Sequence, residues 1–174
     1  KGADKAMNLI SDGAIPISVA TPFAMYTIGL IAHDQVLKEN ALKTGISLAA
    51  STAITYAMKS SFDRQRPFLT YPDKINSSAD SKGYSFPSGH TSTVFSLATS
   101  LSLSYPKWYV IVPSYTFAAA TAYSRMYKGV HYPSDILGGM IVGAGTSIVT
   151  WKVQKLLQKK SQEKRSRRYY RMQN

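Results

Sequence analysis

The chain has 174 residues and a net charge of +12, from 21 Lys and Arg against 9 Asp and Glu. That length suits one domain, and a hydrophobic fraction of 44% argues against wholesale disorder. The absence of cysteine excludes a disulfide scaffold, a thiolate zinc site and a cysteine nucleophile. The positive charge suggests three kinds of partner: nucleic acid, an anionic membrane or an anionic substrate.

The predicted helices are recognised by long stretches without Asp, Glu, Lys or Arg. In chain order these are helix A over about 14–32, helix B over about 40–60, helix C from Ser88 to before Pro106, helix D over about 107–123, and helix E from Pro133 past Trp151. We expect Pro16 and Pro22 to kink or bound helix A. Residues 61–87 form one long connection, and a loop of that length is usually functional or disordered.

The uncharged stretches favour an all-α antiparallel bundle of about five to six long helices, and their composition favours a bundle embedded in a membrane. At about 1.5 Å per residue, a helix of 16–20 residues approaches the roughly 30 Å of a bilayer core. The polar positions hold Ser, Thr and Tyr, whereas a soluble helix carries Lys and Glu on its outer face. A soluble periplasmic-type bundle stays open because Ser and Thr are so frequent.

The basic excess lies mainly at the C-terminus. Residues 152–174 carry nine Lys or Arg and one Glu, a net +8 of the total +12. We therefore divide the chain into a helical domain over 1–151 and a segment over 152–174, which is the end of the last helix and a basic tail. Because no nucleic-acid reading module accompanies the tail, a membrane-facing or solvated charge run is favoured over a nucleic-acid partner.

Three short stretches carry candidate chemistry: 59–67, 87–90 and 124–135. In an up-down bundle, the connection after helix B and the connection after helix D lie at the same end. The three stretches therefore meet there. His33 lies at the opposite end and is read as structural.

This end is suited to a phosphate-like anion. Lys59, Arg66 and Arg125 bring three positive charges together, and Arg can bind two oxygens of an oxyanion. The free N–H groups at the start of helix C also favour an anion, and Gly89 allows close approach of the backbone.

Two histidines accompany these cations. Asp135 lies four residues after His131, across a helix start, so its carboxylate can orient the imidazole ring. His90 lies on the first turn of helix C, where a general acid could protonate a leaving oxygen. The residues alone do not decide which histidine attacks. With no cluster of acidic residues beside them, a metal site is poorly supported.

The spacing of these residues resembles that of the type 2 phosphatidic acid phosphatase family, a superfamily that also includes bacterial acid phosphatases and vanadium haloperoxidases. The family pattern is Lys, six residues, Arg-Pro; then Pro-Ser-Gly-His; then Ser-Arg, five residues, His, three residues, Asp. Every position is matched, by Lys59, Arg66-Pro67, Pro87-Ser88-Gly89-His90, Ser124-Arg125, His131 and Asp135.

The resemblance implies a metal-independent phosphatase, without cofactor, that forms a phosphohistidine. It makes His131 the nucleophile, Asp135 its support and His90 the acid for the leaving group. The implied phosphate ligands are Lys59, Arg66, Ser88, Gly89 and Arg125. The implied substrate is a phosphomonoester or pyrophosphate, most simply of a membrane lipid.

Charge placement predicts the orientation. The end opposite the motifs holds twelve Lys and Arg, and the motif end nine, three of which are phosphate ligands. The positive-inside rule then places the tail in the cytoplasm and the site on the periplasmic side of a bacterial inner membrane. Since the sequence starts at Lys1, we expect a signal peptide or a further helix upstream.

Four alternatives to an integral membrane lipid phosphatase remain. A soluble periplasmic acid phosphatase would use the same site on smaller esters. A vanadium haloperoxidase would use a similar anion site, although those proteins are usually much longer. A nucleic-acid binder would use the tail, and a non-catalytic lipid-binding relative is disfavoured because all catalytic positions are intact.

Overall fold

The computed structural model describes residues 2–75 and 83–173, and within them the chain folds into six helices. These are α1 (Gly2–Ile31), α2 (Gln35–Phe62), the short α3 (Pro67–Thr70), α4 (Gly89–Ser104), α5 (Trp108–Tyr127) and α6 (Pro133–Gln173). The predicted all-α bundle of about five long helices is confirmed. The stretch 76–82 of the long connection lies outside the described residues. So do Lys1 and Lys82, which are two of the nine Lys and Arg assigned to the motif end from the sequence.

Local signals explain where the helices begin and end. The Asp34 side chain accepts a hydrogen bond from Leu37 N at 3.0 Å and so caps α2. That helix ends at Asp63, whose left-handed backbone (φ 43°) stops the helical repeat. The starts of α4 after Ser88 and of α6 at Pro133 agree with the predicted starts.

α1 and α6 extend furthest beyond their predicted bounds. α1 begins at Gly2 and continues through Pro16 and Pro22. A proline removes one backbone hydrogen bond, and at Pro22 this position is buried beside Gly45 of α2. α6 runs to Gln173 because the basic segment contains good helix formers and neither Gly nor Pro. The predicted tail is thus the extension of a helix.

The distribution of polar and apolar side chains is inverted relative to a soluble bundle. The buried core is built from small residues, with Ala14, Val94, Ala98 and Ala118 in one cluster, and many buried positions are Ser or Thr. Large apolar side chains point outward instead; Trp108 is 76% exposed. A soluble protein avoids extensive apolar surface, whereas a bundle in lipid buries small residues between its helices. α1 and residues 133–167 of α6 are long and apolar enough to cross a membrane.

Close packing of α6 against α4 brings the two helix starts together. A Cβ at Gly139 would lie 2.7 Å from Ser88 O, and one at Gly143 would meet the Ser92 carbonyl oxygen. Only glycine permits this approach of the two backbones. At the top of the pair, Ser88 N donates to Asp135 O at 3.0 Å. This contact positions the start of α4 beside the start of α6.

Candidate active site

The three motif stretches converge on one cavity of about 890 Å³ at one end of the bundle. The predicted site residues that line it are Lys59, Arg66, Gly89, His90, Arg125 and His131. They come from the end of α2, the connection to α4, the first turn of α4, the last turn of α5 and the α5–α6 connection. The convergence expected from the order of the helices is therefore present.

Asp135 lies behind His131, out of the cavity. The distance from His131 Nδ1 to Asp135 Oδ2 is 3.4 Å, and the two residues are 4% and 0% exposed. A carboxylate beside Nδ1 holds the ring proton on that nitrogen, so Nε2 carries the lone pair. Nε2 is the ring nitrogen beside the cations, 3.4 Å from Arg66 Nη1.

The Asp135 carboxylate is itself held by three other donors. Ser85 Oγ donates to Oδ2 at 2.5 Å, and the backbone N–H of Tyr132 donates to the same oxygen at 2.8 Å. The Tyr132 contact resembles half of a capping box, in which a side chain in the first turn of a helix accepts from the backbone N–H of the residue before the helix. Arg64 Nη1 donates to Oδ1 at 2.8 Å, and its guanidinium stacks on the Tyr132 ring at 4.0 Å. The carboxylate is thereby fixed in orientation and stays ionised.

The surroundings of His131 favour its neutral form. Burial lowers the pKa of His131 to about 4, and the charges of Arg66, Arg125 and Lys59 add to the lowering, while the hydrogen bond that the ring donates to Asp135 opposes it. The ring is therefore neutral across the physiological range, with no proton on Nε2, as a nitrogen nucleophile requires.

Two of the three predicted cationic ligands are fixed by backbone carbonyls. Arg66 Nε donates to Gly83 O at 3.0 Å and Nη1 to Val130 O at 3.1 Å. Burial lowers the pKa of Arg66, although the group remains a cation at any ordinary pH. Lys59 Nζ donates to Tyr84 O at 2.6 Å. These contacts hold the two positive charges at the cavity wall.

The three motif residues at the start of α4 occupy different positions relative to the cavity. His90 lines the cavity, and its ring makes no hydrogen bond with any described residue, which leaves it available to a leaving group. Gly89 also lines the cavity. Ser88 is fully buried, with its Oγ accepting from Thr91 Oγ1 at 2.9 Å and its N–H bonded to Asp135 O. Ser88 thus caps the helix here, and its role as a phosphate ligand stays a prediction.

The structure adds three residues to which sequence reasoning assigned no role: Ser11, Arg64 and Ser85. Arg64 lies within the first motif stretch, 59–67, and bonds the Asp135 carboxylate directly. Ser85 touches both Asp135 and His131, yet nothing in its spacing marks it among the many serines of the chain. Ser11, which contacts Arg125, belongs to α1 and is distant in sequence from every motif.

Within residues 2–75 and 83–173, no three His, Asp or Glu side chains are grouped as ligands for a metal ion. The Asp135 carboxylate, behind His131, is occupied by its four hydrogen-bonding partners. A reaction that needs no metal is a prediction from the sequence that an assay with and without divalent cations must test.

Comparison with known proteins gives consistent matches. The family model of the PAP2 superfamily matches residues 40–159, which contain all three motif stretches. The undecaprenyl-diphosphatase BcrC of Bacillus subtilis is 31% identical over 156 residues, covering 88% of this chain and 76% of that protein. An undecaprenyl-diphosphatase of Sulfolobus acidocaldarius is 32% identical over 116 residues, covering 64% of this chain. The chain spans only 56% of the length of that archaeal relative.

The fold has a counterpart among solved structures. The crystal structure of Aquifex aeolicus LpxE superimposes with a TM-score of 0.62 at 24% identity, over 85% of this chain and 93% of that one. At this identity the likeness establishes the arrangement of the helices and nothing about the reaction.

Proposed function

Because the chain belongs to the PAP2 superfamily, we propose that it is a phosphatase that removes the terminal phosphate of a membrane lipid phosphate or pyrophosphate. The observation that carries the proposal is the pairing of His131 Nε2 with Arg66 in a basic cavity, while Asp135 holds the opposite ring nitrogen. A ring nitrogen that carries no proton and cations for the phosphoryl oxygens are the two requirements of phosphoryl transfer to nitrogen.

The reaction proceeds in two displacements. In the first, His131 Nε2 attacks phosphorus, the bond from phosphorus to the leaving oxygen breaks, and His90 gives that oxygen a proton. In the second, water attacks the phosphohistidine while His90 takes the proton from the water. The N–P bond then breaks, which restores His131 and releases phosphate. Arg66, Arg125 and Lys59 stabilise the negative charge on the phosphoryl oxygens in both steps.

An apolar groove supports a lipid substrate. The cavity extends from the cations between α1 and α2, where its walls include Ile15, Val19 and Phe23 of α1 and Leu48 of α2. From Ile15 to Phe23 the helix rises through eight residue steps, about 12 Å. A phosphate at the cations would thus leave a long apolar chain lying against these residues. Phe23 is 70% exposed, so the groove opens toward the surroundings of the bundle.

Similarity to two undecaprenyl-diphosphatases favours a polyprenyl diphosphate within this class. The test is a phosphate-release panel with polyprenyl diphosphate, phosphatidic acid, phosphatidylglycerol phosphate, a lipid A phosphate and a soluble ester. We expect release from at least one lipid and none from the His131→Ala variant. Release by His131→Ala at the wild-type rate would refute the nucleophile. Loss of activity in EDTA with recovery in Mg²⁺ would refute the metal-independent reaction.

We further propose that the site faces the periplasm. The extension of α6 carries its basic residues away from the site end, as the positive-inside rule requires of a cytoplasmic segment. The apolar outer surface and the relatives fit a bacterial membrane location and disfavour the soluble alternative. A reporter fused after Asn174 is expected to be active only in the cytoplasm; periplasmic activity would reverse the orientation.

A further inference from the structure

A buried hydrogen bond joins α1 to the site. Arg125 Nη1 donates to Ser11 Oγ at 2.5 Å, and the two residues are 5% and 0% exposed. Ser11 lies outside residues 40–159, the region that the family model matches. The family match therefore gives this serine no role, although it contacts a residue of the third motif.

The other edge of the Arg125 guanidinium is left unoccupied. Its Nε is buried and has no hydrogen-bond partner within the described part of the chain, and Arg125 lines the cavity. By the geometry of the group, Nη1 lies on the Cδ side, so Nε–H and one Nη2–H point in the same direction. Together they form the fork that binds two oxygens of a phosphate. A partner at Nη1 orients the guanidinium without occupying that fork.

Two further contacts join the same ends of α1 and α5, but both are exposed. Lys128 Nζ lies 3.5 Å from Asp12 Oδ1, and Tyr127 Oη donates to Asp4 Oδ1 at 3.0 Å. Exposed pairs contribute little because water competes for them. The Ser11 hydroxyl, in contrast, accepts its hydrogen bond from the guanidinium inside the bundle, where leaving a buried polar group without a partner is costly.

We propose that Ser11 is a positioning residue that holds Arg125 with its Nε–Nη2 edge open toward the phosphate group. α1 then takes part in oxyanion recognition although it carries none of the three motifs. The inference rests on the proposed function only in taking Arg125 as a phosphate ligand.

The test uses orthovanadate, a tetrahedral phosphate mimic, with binding to the full chain in detergent measured by titration calorimetry. Ser11→Ala is expected to raise the Kd for vanadate about tenfold, the size expected for one hydrogen bond to a charged group. The matched control is Ser18→Ala. Ser18 is also 0% exposed on α1, but its hydroxyl donates to Ala14 O at 2.7 Å within the helix. This control is expected to leave the Kd unchanged.

A second pair of variants separates bonding from folding. Ser11→Thr keeps the hydroxyl and Ser11→Val does not, while both add nearly the same volume. We expect Ser11→Thr to bind vanadate more tightly than Ser11→Val, by about tenfold. Equal Kd values for Ser11→Ala and Ser18→Ala, or for the Thr and Val variants, would overturn the inference, as would a wild type that binds no vanadate. Failure of the proposed function gives another result: vanadate binding that depends on Ser11, without phosphate release from any lipid.

Discussion

Substitution of Ser85 by alanine tests the network behind His131, the proposed nucleophile. Ser85 donates to Asp135 at 2.5 Å and lies 3.4 Å from Nδ1 of His131. A hydrogen bond to a charged group contributes about 1.5–3 kcal/mol. Arg64 and the Tyr132 N–H still hold the carboxylate in the variant, so we expect the loss to lie near the lower end. That corresponds to a fall of about tenfold in kcat, since about 1.4 kcal/mol is a factor of ten in rate.

The same variant is expected to shift the pH profile in a defined direction. Without the serine, the Asp135 carboxylate has one donor fewer and attracts the His131 proton more strongly. The pKa of His131, about 4 in the wild type, then rises toward its ordinary value. The acidic limb of kcat/KM moves to higher pH with it, because protonated His131 cannot attack.

The assay is phosphate release from the best lipid of the panel between pH 3.5 and 8, with Ser100→Ala as the control. Ser100 is buried in α4 and bonds Ser147 at 3.2 Å, at a distance from the catalytic groups. Its loss is expected to leave both kcat and the acidic limb unchanged. A Ser85→Ala variant with wild-type kcat, or with the acidic limb of kcat/KM moved to lower pH, would refute the role of Ser85 in this network.

Three further predictions concern other parts of the fold. Gly143→Ala places a methyl group against the Ser92 carbonyl oxygen and should lower the free energy of unfolding by about 1–3 kcal/mol, whereas Gly145→Ala, with nothing within 4 Å, should not; chemical denaturation in detergent measures both. His90→Gln should slow release from a lipid ester far more than from p-nitrophenyl phosphate, whose leaving group needs no proton; equal slowing would contradict the acid role. The unfolding free energy should fall as pH drops from about 6.5 to about 4, because His131 takes up a proton at higher pH in the unfolded chain than in the folded one. Melts at several pH values should show that His131→Gln reduces this fall by about 3 kcal/mol. Curves of unfolding free energy against pH that run parallel for the wild type and the variant would contradict the prediction.

The motif spacing and the order of the helices were enough to predict which residues meet. Lys59, Arg66, His90, Arg125 and His131 come to one cavity, as expected from two connections at the same end of an up-down bundle. The link from His131 to Asp135 could also be predicted, because a separation of four across a helix start brings the side chains together. These predictions rest on short-range geometry and on the direction of each helix.

The contacts that hold those residues were not predictable in the same way. Ser85 bonds Asp135 across 50 positions and Ser11 bonds Arg125 across 114. Such pairs depend on the rotation of each helix about its axis, which the uncharged stretches leave undetermined, since Ser and Thr occur on every face. The lengths of α1 and α6 were underestimated for a related reason. Charged residues mark where an uncharged stretch ends, but a helix continues beyond that point as long as its residues have good helix propensity.

The most direct measurement of the central claim is the identity of the residue that carries the phosphoryl group. Wild type is mixed with ³²P-labelled lipid phosphate, quenched with alkali, which preserves phosphohistidine, and digested for peptide mapping. The mechanism predicts label on His131, no label in His131→Ala, and retention of configuration at phosphorus over the full turnover. Label on any other residue, or inversion of configuration, would contradict it.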